Sequence, residues 1–318
     1  MSAQHRYPPF DLADAQAYAA WRARKLARYP RSVEALLVEV RDPHQLSTAE
    51  RVALLARCAQ ANMAIYATSP ARCPDAATAK EATRRIGAQL GLATLDTNYL
   101  ADDDGITPLA CVAGGTRGEF IPYTNRAIRW HTDGYYNPPE RLVRAMLLHC
   151  VERAEAGGEN RLLDHELAYL QLRDENPDHI RALMAPDAMT IPARSEEGVE
   201  ARRDQAGAVF SVAADGHLHM RYTARTRSIS WKNDIATRAA VAALEQLLAD
   251  NPYTLRARLE PGMGLVCNNV LHDRSAFTES PQHTRLLLRA RYYERIAGVP
   301  DGADVPGTAA SVLSVASA

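Results

Sequence analysis

The chain has 318 residues, 47% hydrophobic and 24% charged, enough for a sizeable core in one large domain or two small ones. A formal net charge of -1 argues against a general nucleic-acid or anionic-membrane binder, and no run approaches the roughly 18 apolar residues of a membrane span. Five cysteines, odd in number and never in a C-x-x-C pair, read as reduced thiols of a cytoplasmic protein, while ten histidines mildly favour a metal or proton-transfer role.

Met1 to Pro9 is polar and lacks the apolar centre of a signal peptide. Residues 12–28 then read as a helix with a basic end, and Pro30 closes it. Ala35–Val40 reads as a strand, and Ser47-Thr48-Ala49-Glu50 is a capping box that opens a helix. Met63–Thr68 reads as a strand and Ala76–Leu90 as a helix that ends at Gly91.

From about Tyr99 the texture changes to short apolar or alternating runs between turn residues, which suggests an antiparallel sandwich or barrel. Helices are expected at 165–176 and 237–250. The polar stretch 187–207 between them is a candidate mobile lid. The tail 297–318, small and without period, is expected to be disordered. With no repeat and no linker, 1–296 is expected to be one domain: residues 1–95 pack, with their helices, on a mainly β core over 96–296.

Chemistry concentrates at Trp130-His131-Thr132-Asp133. Two residues is the strand period, so on extended backbone His131 and Asp133 share a face and could supply two-thirds of a metal facial triad. A third ligand is available at His272, behind the run Leu265–Asn269, which reads as a strand leading up to it. Arg285 follows 13 residues later and shares a strand face with Arg289. Two buried guanidinium groups call for anionic partners, which a dicarboxylate would supply.

With these residues in order, the chain resembles the Fe(II)/2-oxoglutarate-dependent oxygenases of the taurine dioxygenase and clavaminate synthase-like superfamily. The motifs are W-H-T-D-G, G-G-E-N, N-N-V-L-H-D-R-S-A-F and T-R-L-L-L-R, between about Pro122 and Tyr293. Leu147-Leu148-His149-Cys150, Gly157-Gly158-Glu159 and Tyr123-Thr124 resemble the γ-butyrobetaine hydroxylase branch in particular.

The resemblance implies an α+β fold around a distorted double-stranded β-helix (jelly roll) with flanking helices. It implies Fe(II) on His131, Asp133 and His272, with 2-oxoglutarate and O2 as co-substrates. Arg285 would take the distal carboxylate, Arg289 would lie near the proximal carboxylate or the substrate, and Asn160 stands where relatives often have Thr or Ser. The reaction implied is hydroxylation of a C–H bond, or a cleavage that hydroxylation triggers, with release of succinate and CO2. Halogenating relatives have a small residue where this chain has Asp133.

Substrate contacts are expected from Tyr123, Tyr135, Tyr136, Asn137, Tyr222, Arg225 and Arg227, with Trp130 a further candidate. The arginines among them suggest an anionic small molecule. The resemblance places Tyr123 in an aromatic cage for a trimethylammonium group, a cation–π site, but Phe120 and Arg291 depart from that branch. His149 reads as core, and Asp215, His217 and His219 as a structural hairpin. A non-catalytic jelly-roll binding or sensor protein is the rival reading, and a homo-oligomer is compatible with the family.

Overall fold

The computed structural model describes residues 8–97, 102–196, 199–225 and 229–297. The tail beyond 297 and Arg227 lie outside the described residues.

Local chemistry sets the N-terminal helices. Ala15–Arg28 starts at Asp14, whose carboxylate accepts the Ala17 N–H, and it carries Lys25 and Arg28 in its last turn. Thr48–Ala61 starts on the expected capping box: Ser47 Oγ accepts from the Glu50 N–H, and Glu50 accepts from the Ser47 N–H. Ala76–Gln89 follows, capped by Asp75.

Two sheets organise the chain. The larger has six strands in the order Leu37–Glu39, Met63–Ala67, Met263–Cys267, Ala145–Glu152, Leu286–Tyr292 and Thr107–Leu109. The smaller has four, in the order Leu255–Ala257, Asn160–Leu163, Leu271–Arg274 and Ile128–His131. Side-chain parity divides the large sheet. Ala145, Leu147, Val266, Leu288 and Ala290 join Leu54, Ala79 and Ile86 of the covering helices in one core. Met146, Leu148, Leu265 and Leu287 join Leu162 and Leu271 of the small sheet in the other. Arg289 and Arg291 share the parity of Leu287, so strand periodicity sends both guanidinium groups to the inner side.

Three expectations change. The strand expected up to Asn269 ends at Cys267, because Asn269 turns the chain with φ 51, and His272 sits in a new strand of the other sheet. A helix not anticipated, Pro177–Leu183, follows His165–Glu175 directly; Asn176 caps it and Pro177 restarts the helical φ. The stretch expected to be a mobile lid contains Met189–Ile191 and Gln205–Gly207, which pair with each other, while Ser230–Trp231 pairs with the first. Met189 and Ile191 are buried, and that burial makes the base of the segment part of the core. Among the described residues no helix is long and apolar enough to cross a membrane.

Candidate metal and co-substrate site

His131 ends one strand of the small sheet and His272 lies directly opposite it on the neighbouring strand. Their ring centroids are 4.2 Å apart. Asp133, two residues on, brings a carboxylate oxygen within 3.8 Å of His131 Nε2. Among the described residues these three form the group whose ligand-capable atoms all lie within 4.8 Å of one another, and all three are buried in a protein interior. The Asp215, His217 and His219 hairpin is not part of any such group.

The donor set suits a divalent transition metal. His131 Nδ1 meets the Arg129 carbonyl at 3.0 Å and His272 Nδ1 meets the Val270 carbonyl at 2.9 Å, which leaves both Nε2 atoms for a ligand role. Asp133 Oδ2 is buried with no hydrogen-bond partner. Burial and the nearby His272 push the His131 imidazole down to about 3, so it is neutral at ordinary pH. Burial alone would raise the Asp133 carboxyl, but Arg289, Arg291 and the two histidines hold it well below the usual carboxylate range. Two imidazole nitrogens and one carboxylate are the donors of a facial triad.

A cavity between the sheets is lined by His131, His272, Asn160, Arg274, Arg285 and Arg289, with Leu109, Met146, Leu148 and Leu287 among its apolar walls. Arg289 donates to Asp133 Oδ1 at 3.2 Å. Arg285 is 5% exposed, burial lowers its pKa, and its guanidinium lies 5.0 Å from the Phe277 ring centre. Asn160 reaches the same wall and gives one amide N–H to the Asp273 carbonyl at 2.6 Å.

Arg274 was not anticipated. Its guanidinium also lies close to Phe277, 4.8 Å from the ring centre, and donates to the carbonyls of Pro122, Thr124 and Arg126. Burial and the neighbouring Arg285 press it down to about 9, still a cation at neutral pH. The period that pairs Asp133 with His131 also separates Arg274 from His272, and that was the available signal.

The expected substrate contacts divide. Tyr135 and Tyr136 are half-buried, packed edge to face at 5.3 Å, and Arg291 donates to the Tyr136 hydroxyl at 2.8 Å. Arg291 also lies 2.6 Å from the buried Asp96, close but not aligned as a hydrogen bond. Asn137 is buried, and its amide is already committed to Asp96 and to the Arg141 carbonyl, so it braces the loop. Tyr222 is 1% exposed and its ring lies 6.3 Å from that of Trp231, away from the cavity wall. Arg225 is half-buried outside that wall. Tyr123 is buried with the Arg117 guanidinium 5.5 Å from its ring centre, so a cation already faces it.

A family model described as taurine catabolism dioxygenase TauD, TfdA family matches residues 24–291. A uridine-5'-phosphate dioxygenase of an Amycolatopsis species is 32% identical over 175 residues, which cover 52% of this chain and 60% of that protein. One from a Streptomyces species is 31% identical over 199 residues, 59% of this chain and 70% of the relative. Among solved structures, an asparagine oxygenase in complex with Fe(II), 3-hydroxyasparagine and succinate aligns with TM-score 0.59 at 14% identity, over 80% of this chain and 82% of that one. The non-heme iron oxygenase OrfP with Fe and α-ketoglutaric acid aligns with TM-score 0.59 at 14% identity, over 79% and 81%. At such identities the structural likeness speaks for the fold.

Proposed function

The chain belongs to the taurine catabolism dioxygenase TauD, TfdA family of iron- and 2-oxoglutarate-dependent dioxygenases, and from that membership we propose that it hydroxylates a C–H bond of a small anionic metabolite. His131, Asp133 and His272 are the metal ligands in this reading, Arg285 and Asn160 take the distal carboxylate of 2-oxoglutarate, and Arg289 serves the proximal carboxylate or the substrate. The observation that carries it is the convergence of the three ligand atoms within 4.8 Å at a cavity that also holds Arg285 and Arg289.

Fe(II) with 2-oxoglutarate and O2 supplies the oxidising chemistry, yielding succinate and CO2 and placing one oxygen atom on the substrate. The protein's part is placement. Nδ1–carbonyl contacts fix both imidazoles, Arg289 holds Asp133, and Phe277 packs against both Arg274 and Arg285. The apolar walls at Leu148 and Leu287 limit water around the cations and strengthen their hold on carboxylates. The carboxylate at Asp133 favours hydroxylation over halogenation. In this reading the two facing sheets are a distorted double-stranded β-helix, and 1–296 is one catalytic domain.

The surplus of cations around the cavity favours an anionic substrate over a betaine, and Arg117 over Tyr123 fits poorly with a trimethylammonium cage. The relatives named for uridine-5'-phosphate make a nucleoside monophosphate the first molecule to try. Purified protein with Fe(II), 2-oxoglutarate and O2 is assayed for succinate with and without uridine 5'-phosphate and a panel of small carboxylates. Stimulation by an anion supports the proposal. Stimulation by betaines alone refutes the anionic reading, and the absence of succinate under every condition refutes the enzyme and favours the sensor.

A further inference from the structure

The two histidines and the aspartate are not positioned by the same means. His131 and His272 are neighbours in a sheet ladder, so backbone pairing sets their separation. Asp133 lies beyond the end of the strand Ile128–His131, and the next residue, Gly134, takes a left-handed φ of 66. The ladder that places the histidines has therefore ended before the third ligand.

One side chain brackets the Asp133 peptide. Asn269 Oδ1 accepts the Asp133 N–H at 2.7 Å, and Asn269 Nδ2 donates to the Asp133 carbonyl at 2.9 Å and to the Val143 carbonyl at 2.6 Å. The partners themselves fix which way the amide points, because an N–H needs the oxygen and two carbonyls need the nitrogen. Asn269 is 1% exposed and sits at φ 51, in the turn three residues before His272. Its backbone thus belongs to the His272 segment while its side chain holds the Asp133 segment. The same contact draws in Val143: a Cβ on Gly134 would come within 2.4 Å of Val143 Cγ2, so the 134–143 loop closes tightly here.

We infer that Asn269 is a positioning residue of the metal centre, whose carboxamide sets the Asp133 carboxylate against the two imidazoles without touching the metal. The inference rests on the reading of His131, Asp133 and His272 as ligands. A carboxylate that hangs from a loop keeps its place only if the peptide that carries it is held at both its N–H and its C=O. Asn269 does both with one planar group, whose Nδ2 also reaches the Val143 carbonyl and so ties the Asp133 segment to the 134–143 loop. Outer groups of this kind commonly govern metal affinity by about 10–100-fold.

The test is a Co(II) titration, read from visible ligand-field absorption, on the whole protein and three variants, with thermal melts in parallel. Asn269→Gly keeps the left-handed backbone and removes the amide. Asn269→Asp keeps the size but turns a carboxylate oxygen toward two carbonyls, and it covers the case in which the glycine variant does not fold. Asn251→Ala is the control: it removes a similarly buried amide that donates to Gln171 at 2.7 Å, in another part of the molecule. The expected result is a Kd for Co(II) raised about 10–100-fold in the Asn269 variants, with the control losing thermal stability alone. The inference is overturned if the folded Asn269 variants bind Co(II) like the parent protein, whatever their melting points, or if Asn251→Ala weakens binding equally. A parent protein that takes up no Co(II) would instead overturn the ligand assignment itself.

Discussion

Replacing Arg285 with alanine should detach co-substrate binding from metal binding. The guanidinium is 5% exposed, packs against Phe277 at 5.0 Å and lines the cavity that His131 and His272 also line. Its desolvation is therefore already met in the free protein, and an arriving carboxylate gains a two-pronged, charge-assisted contact. Each such hydrogen bond contributes about 1.5–3 kcal/mol. Arg274, which packs on the same ring and lines the same cavity, retains one positive charge nearby in the variant and offsets part of the loss. A net cost of about 3–4 kcal/mol follows, or two to three orders of magnitude in Kd. Arg285→Lys keeps the charge but loses the fork, and should cost only about 10-fold. Anaerobic calorimetry of 2-oxoglutarate into the Fe(II)-loaded protein measures both, while Fe(II) affinity should not change. If Arg285→Ala binds 2-oxoglutarate within threefold of the parent, or loses Fe(II) as well, the assignment of this arginine is wrong.

Two further outcomes concern stability. Lys25 Nζ lies 2.5 Å from Asp164 and 2.6 Å from Glu166, all three buried, so Lys25→Met strands two carboxylates and should cost about 3–5 kcal/mol in denaturant unfolding; a cost below 1 kcal/mol would show that the cluster is solvated. Burial holds His149 down to about 4 against an ordinary value of 6.5. The folded state therefore resists protonation, and the stability this withholds, at most about 3 kcal/mol, is intact above pH 6.5 and lost as pH falls toward 4. His149→Asn should flatten the pH dependence of unfolding across that window, and an unchanged slope would place the titration elsewhere.

Much of this was legible in the chain because its signals are local. The Ser47–Glu50 box, the capped helices and the alternation in Leu286–Tyr292 follow from periods and caps that a sequence displays directly. The two-residue spacing of His131 and Asp133 was also legible, and the bond between Arg289 and Asp133 accords with the shared face read for Arg285 and Arg289. What could not be read depends on partners far along the chain. Asn269 looks like the end of a strand until its contacts with Asp133 and Val143 are seen. Asn137 looks free to meet a ligand until Asp96 and the Arg141 carbonyl are found to occupy its amide. Arg274 reads as one more charged residue until three backbone carbonyls and the Phe277 ring enclose it. Burial was not legible either: Met189 and Ile191, inside the polar 187–207 stretch, are buried on a strand that pairs with Gln205–Gly207 and Ser230–Trp231, and Tyr222 is 1% exposed.

The central claim is that His131, Asp133 and His272 hold Fe(II) in a form that chelates 2-oxoglutarate. Anaerobic visible spectroscopy tests it most directly. Adding Fe(II) and 2-oxoglutarate together should produce a weak charge-transfer band that neither gives alone, and His272→Ala should abolish it. A folded protein that shows no band, or a band that survives in His272→Ala, would contradict the account.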